Sequence, residues 1–182
     1  MTPRSFAAHP GTSHSWSASG NRLDDLPPFV WTYPYVRERR DESPDGFILR
    51  PVVPLRFVGP DGSQSDRYEA LIDSGAENIL TPNWVAATIG VELRGETTRI
   101  RIGGAIRSTQ FHDVDIVIEA PDGTAIRWRT SIGFMDWAEP PWMVILGQSG
   151  FFNHFTVCMS RLAQTTAVHH RDHFDLTYGT AG

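Results

Sequence analysis

The sequence has a single cysteine, Cys158, so no disulfide can form within the chain and packing and hydrogen bonds must hold the fold. It also lacks a long apolar run. The most apolar stretch, residues 134–152, is broken by Asp136, Glu139 and two prolines, which excludes it as a membrane-spanning helix. Positive charge is scarce: 16 basic against 21 acidic residues give a net charge of -5, with no long run of either sign. That balance argues against a nucleic-acid partner or an anionic membrane surface, both of which select a basic face. The opening residues, MTPRSFAAHPGTSHSWSASG, lack the apolar core of a signal peptide, so a cytoplasmic protein is the expectation. No internal repeat is visible.

What is present describes an ordinary globular chain: 182 residues, 40% hydrophobic and 20% charged, enough for one domain with a real core. Residues 1–28, rich in Ser, Gly, Pro and His, read as a flexible leader. Residues 29–46 read as an N-terminal arm, an aromatic cluster followed by charge and a turn. Residues 47–182 form the expected domain, and its patterning is β. FILRPVVPLRFV (47–58) is strand-like, with Pro51 and Pro54 suited to an edge or a break. DVDIVIE (113–119) alternates, placing Val114, Ile116 and Ile118 on one face, and the Asp-Gly of APDGTAIRWR turns the chain into a partner strand. WMVILG, FTVCM and FDLTY read as further strands. LTPNWVAATIGV reads as a helix, with Thr81 as cap, Pro82 in first position and Gly90 as the stop; a second short helix is expected around Gln148–Asn153.

Into this pattern EALIDSGAENIL inserts a carboxylate where a core strand should continue. An acid directly after an apolar strand is costly unless its charge is stabilised or it stays protonated. Ser74 offers a hydroxyl, and Gly75 lets backbone pass close to a ligand. Such a loop can hold Asp73 at the floor of a cleft within reach of a water. By itself an Asp-Ser-Gly is also a plain turn after a strand; the surrounding blocks tip the balance.

ALIDSGAENIL resembles the active-site loop of the retropepsin-like aspartic proteases, in a bacterial-type version. TPNWVAATIGV is similar to the short helix that follows that loop, RIRIGGAIRSTQFHDVDIVIE to the flap hairpin, and WMVILGQSGFFNHFTV to the segment that closes the domain. The four blocks occur in the family's order across residues 49–159. The resemblance implies a mostly β, single-domain acid-protease fold: a closed sheet with a flap hairpin and one or two short helices. It implies an aspartic endopeptidase in which Asp73 is catalytic and Ser74, Gly75 and Ala76 support the loop. Glu77 and the flap residues Ile102, Gly103, Gly104, Ala105 and Ile106 would contact an extended peptide, and Leu146 and Gly147 would form the closing strand. No cofactor or metal is implied. The chain carries one such aspartate, so a homodimer must supply the second. Two positions depart from the viral pattern, Glu77 for an Asp and Gln148 for an Arg, which removes a bidentate bridge at the dimer end of the site. A non-catalytic peptide-binding or dimerisation module on the same scaffold is the alternative.

Other candidates weigh less. His169 and His173 would share a face if helical, but no third metal ligand accompanies them. IRIGGAI lacks the Lys-Ser/Thr of a phosphate loop. His112 and His154 read as surface or core-edge residues, Cys158 as a buried thiol, and the tryptophans mostly as core or interface material; FMDWAEPPW (134–142) is a Pro-bent aromatic loop that could border the cleft, with packing the preferred role.

Overall fold

In a computed structural model the described residues are 21–22, 30–138, 140 and 142–170. Thirteen strands and one helix account for most of them, in the order β1 (Asn21–Arg22), β2 (Val30–Pro34), β3 (Val36–Arg39), β4 (Phe47–Arg50), β5 (Val52–Val58), β6 (Tyr68–Ile72), β7 (Ile79–Pro82), α1 (Trp84–Thr88), β8 (Thr98–Ile102), β9 (Ala105–Glu119), β10 (Ala125–Met135), β11 (Val144–Leu146), β12 (Phe155–Ser160) and β13 (Thr165–His170). The mostly β architecture expected from the patterning is what the chain adopts.

The main sheet closes on itself. Its order β10-β7-β11-β6-β5-β9 returns to β10 through the antiparallel β9–β10 pair, giving a six-stranded barrel, with β1 and β8 attached outside the ring. Most pairs are antiparallel, but β11 runs parallel to β6 and β10 parallel to β7. Closure leaves no free edge around the ring, and Leu55, Phe57, Ile79, Ile116, Ile132 and Phe134 fill it. Beside the barrel, β12, β13 and β2 form a three-stranded antiparallel sheet, and β3 and β4 form a separate hairpin. The 29–46 arm is thus split between the two smaller sheets. Tyr33 joins one of them to the barrel: its hydroxyl donates to the Glu119 carbonyl at 3.1 Å. Burial pushes that hydroxyl well above its ordinary pKa, so it remains a neutral donor.

Several expectations change. The 47–58 segment breaks at Pro51 into β4 and β5. Pro54 sits where β5 pairs with β6 alone, since the β9 register begins at Leu55, so its missing N–H costs the barrel nothing on that side. The helix begins at Trp84 instead of Pro82, and its N-cap is Asn83 without a side-chain cap bond. Thr81 and Pro82 are taken by β7, paired with Phe134 and Met135, and the buried Thr81 hydroxyl donates to the Met143 carbonyl at 2.9 Å. The stop holds. Gly90 takes a left-handed φ of 68°, while the Gly90 and Val91 amides donate back to Ala87 and Ala86. The second helix, around Gln148–Asn153, is replaced by turns, which Gly150 at φ 94° interrupts. Cys158 is exposed, not buried: among the described strands β12 pairs with β13 alone, and its last residues, Cys158 to Ser160, are exposed. Trp31 and Trp128 are core residues, whereas Trp84 is exposed. FDLTY, most of the 1–28 leader, Trp16 and His173 lie outside the described residues; His169 is on a strand, so the helical pairing of the two histidines does not arise.

Candidate active site

β6 carries the chain into the barrel wall as Ala70-Leu71-Ile72, with Ala70 and Ile72 buried, and delivers Asp73 at its end. The ladder does not stop with the strand: the Asp73 amide donates to the Leu146 carbonyl of β11 at 3.0 Å. Beyond it the loop folds tightly. The Gly75 amide donates to Asp73 Oδ1 at 2.9 Å, and the Ala76 amide to the Asp73 carbonyl at 3.1 Å. Gly75 leaves room for this, since a Cβ there would sit 3.2 Å from the same carboxylate oxygen.

The segment after β11 stitches the loop down. Gln148 donates its backbone N–H to the Ala76 carbonyl at 2.9 Å and its side-chain amide to the Ser74 carbonyl at 2.8 Å, and the Ser149 amide donates to the Glu77 carbonyl at 2.7 Å. Gln148 therefore braces the loop of its own chain through a neutral side-chain hydrogen bond. Gly147 is the tightest point. A Cβ on it would fall 2.4 Å from the Asn78 carbonyl oxygen and 2.7 Å from that of Ala76, so only glycine fits where the closing segment crosses the loop.

Asp73 opens into a cavity of ≈ 320 Å³. Leu71, Asp73 and Ile145, on or just beyond the barrel strands β6 and β11, make its barrel side, the floor, and Trp137 and Trp142 also line it. Over it lies the β8–β9 hairpin, contributing Ile102, Gly103, Ala105 and Arg107, and Arg50 closes the side toward the β3–β4 hairpin. Asp73 is the one carboxylate among the described residues of this lining. The hairpin turns on Gly103 and Gly104, both left-handed at φ 54° and 82°, as a two-residue turn between twisted strands requires. Its Ile100 and Ile102 pack against a small apolar cluster of Leu80, Met135 and Ile145.

Of the residues singled out in the sequence, Asp73, Ile102, Gly103 and Ala105 thus meet around one cavity. Ser74 and Gly75 are exposed at the loop, and Ala76 packs on the Leu80 cluster. Leu146 and Gly147 are buried beneath as support. Glu77 lies apart, in a neighbouring depression with Arg99 and Arg101. Gly104 and Ile106 are at the hairpin's exposed tip, Ile106 being 56% exposed. Sequence reasoning overlooked Arg50, Arg107, Leu71 and Ile145; for the 134–142 loop that carries Trp137 and Trp142 it weighed a place bordering the cleft but preferred packing. Among the described residues no group of His, Cys, Asp and Glu could hold a metal ion, and no helix is long and apolar enough to cross a membrane.

No protein-family model matches the chain, and comparison with curated proteins gives no match. Solved structures similar to it include a retropepsin-like aspartic protease from Rickettsia conorii, 17% identical over 79% of this chain and 94% of that one, with a TM-score of 0.47. A second is the protease of EIAV in complex with the inhibitor HBY-793, 20% identical over 54% of this chain and 82% of that one, TM-score 0.33. A third is the retroviral protease-like domain of Ddi1 from Leishmania major, 17% identical over 62% of this chain and 82% of that one, TM-score 0.38. At such identities none of them carries a residue's role over to this chain.

Proposed function

We propose that the protein is an aspartic endopeptidase, active as a homodimer, that hydrolyses peptide bonds in extended segments. The observation that supports this is a single carboxylate, Asp73, held rigidly by backbone at the floor of a cavity under a hairpin, with no second acid in the described lining. Hydrolysis by carboxylates alone takes two. One, ionised, removes a proton from the attacking water; the other, protonated, donates to the carbonyl oxygen as charge develops there. Carboxylates that close share one proton, because both cannot ionise, and they titrate as a pair.

A two-fold axis beside the loop supplies the partner, since an isologous contact sets each residue against its own copy. The exposed Ser74 and Gly75 are available to such a contact, with the Ser74 hydroxyl reaching across. The substrate lies as an added strand between the floor and the hairpin, which excludes water as it settles. The single-cysteine composition suits the cytoplasm as its compartment.

Asp73→Asn is the direct test. It keeps shape and removes the titrating group from both halves, so peptide cleavage should fall by at least ~10²–10⁴-fold, the usual scale of acid–base help. A folded, dimeric Asp73→Asn protein that still cleaves at the wild-type rate rules the mechanism out. A pepstatin-type inhibitor, which mimics the tetrahedral intermediate, should bind the wild type and not the variant. Peptide binding indifferent to Asp73, without turnover, would instead identify a binding module. Mass in solution between pH 4 and 8, with and without inhibitor, tests the dimer separately.

A further inference from the structure

We propose that Arg107 is a specificity-determining residue that makes the Asp73 cleft prefer peptides with an acidic side chain close to the bond to be cut, an inference that rests on the endopeptidase reading. The register of the hairpin places Arg107 on its inner face. Ile100 pairs with Arg107 and Ile102 with Ala105, and directly opposed residues share a face. Burial alternates accordingly: Ile100, Ile102, Ala105 and Arg107 are half-buried, while Arg99, Arg101, Ile106 and Ser108 are exposed. One guanidinium therefore sits on an otherwise apolar surface that covers the cavity.

A cation on such a surface gains most from an anion brought to it. Among the described residues no carboxylate lies within ion-pair distance of Arg107. Arg50, the other cation of the lining, is already engaged, its Nε 3.1 Å from Glu38 Oε2. The hairpin offers no internal counter-charge either, because residues 97–112 contain three arginines and no acid. Among the described residues the lining thus holds two guanidiniums against one carboxylate, and Arg107, the one without an ion pair among them, presents a fork suited to a second carboxylate. An extended peptide bearing Glu or Asp supplies it, with Trp137 and Trp142 available to the stem of the same or a neighbouring side chain. In the dimer the second copy repeats the arrangement, so the preference should appear on both sides of the bond.

The experiment compares peptide pairs that differ only by Glu or Gln at each position around a cleaved bond. For the wild type, kcat/KM should favour Glu by about tenfold or more at one position at least, as a charge-assisted hydrogen bond commonly gives. The Glu/Gln ratio should collapse in Arg107→Gln, survive in part in Arg107→Lys, and turn toward Lys-containing peptides in Arg107→Glu. A wild type indifferent to the exchange, or a ratio unchanged in folded Arg107→Gln, overturns the proposal. The same pairs are titrated into Asp73→Asn, with Arg107 intact or replaced by Gln, and binding is read without turnover. Arg107-dependent Glu preference there, with no cleavage by the wild type, sustains the subsite and discards the protease. Equal binding of both peptides discards the subsite whatever the wild type cleaves.

Discussion

Glycine serves opposite purposes at the two ends of the cleft. At the floor, Gly147 is demanded by space: the loop carbonyls of Ala76 and Asn78 leave no volume for a methyl group. At the roof, Gly103 and Gly104 have nothing within 4 Å of a built Cβ, and only their left-handed backbone needs them. The floor is laced by backbone hydrogen bonds between residues 73–78 and 146–149, over a buried barrel. The roof is a two-stranded hairpin with one charged and exposed face. On the proposed function, the carboxylate is fixed where positioning matters, and the chain is left adaptable where a peptide would enter.

The largest effect expected from this contrast is at Gly147. Gly147→Ala must push apart the crossing of loop and closing segment, since the obstructing atoms are backbone and cannot turn away. Overpacking of this kind costs about 3 kcal/mol or more at a site that cannot relax. A fall of ~6–12 °C in Tm follows for a chain this long. A melting curve within a degree or two of the wild type would show that the floor yields, and the contrast with the roof would be lost. Thr81→Val comes next. It strips the hydroxyl from a fully buried residue and leaves the Met143 carbonyl without that donor, at a cost of about 1–2 kcal/mol measurable by denaturant unfolding.

How far these features were legible depends on their range along the chain. The Asp73 loop stood out because its acid, hydroxyl and glycine are consecutive and interrupt a strand, but only the blocks around it separated it from a plain turn. Among the barrel strands β9 was plain from its alternation and β11 from its short apolar run, while β7 was not read as a strand. Thr81 and Pro82 looked like a helix start because local capping signals point that way. Pairing with Phe134 and Met135, more than fifty residues away, overrides them. Alternation assigned Cys158 a face but could not say that this face is exposed among the described residues. Trp137 and Trp142 reach the cavity on an irregular, proline-containing segment that has no period to read. Arg107 is the instructive case. A two-residue Gly-Gly turn already dictates that Ile100 opposes Arg107, so its inward face was available from the hairpin alone.

At the roof, Gly103→Ala with Gly104→Ala should behave differently from Gly147→Ala. Each residue must hold a left-handed φ, at roughly 1–2 kcal/mol apiece, but the strain can be relieved by local opening of the hairpin. We expect a smaller loss of Tm than at Gly147 and a larger change in KM for peptide, because the turn that presents Ile102 and Ala105 is remade. If the double variant melts as early as Gly147→Ala, the hairpin belongs to the same cooperative unit as the floor.

The smallest effect lies at the side of the cleft, where Glu38 holds Arg50 and Arg40. Its partial burial pushes the carboxyl up, but the hydrogen bonds from Arg40 and Arg50 outweigh that and leave it below its ordinary value. A carboxyl lower in the folded chain than in the unfolded one stabilises above its unfolded pKa and ceases to do so as pH falls through the folded one. The contribution should therefore be present at neutral pH and fade below the ordinary glutamate range, near pH 4. The pair is only partly buried and still reached by solvent, so at most about 1 kcal/mol is involved. Glu38→Gln should match the wild type in acid and fall slightly short of it at pH 7 in denaturant titrations. It also frees Arg50, giving the cavity a second uncommitted guanidinium. Should Glu38→Gln strengthen the preference for acidic peptides while hardly moving stability, the arginines at the cleft's side act on the substrate and not on the fold.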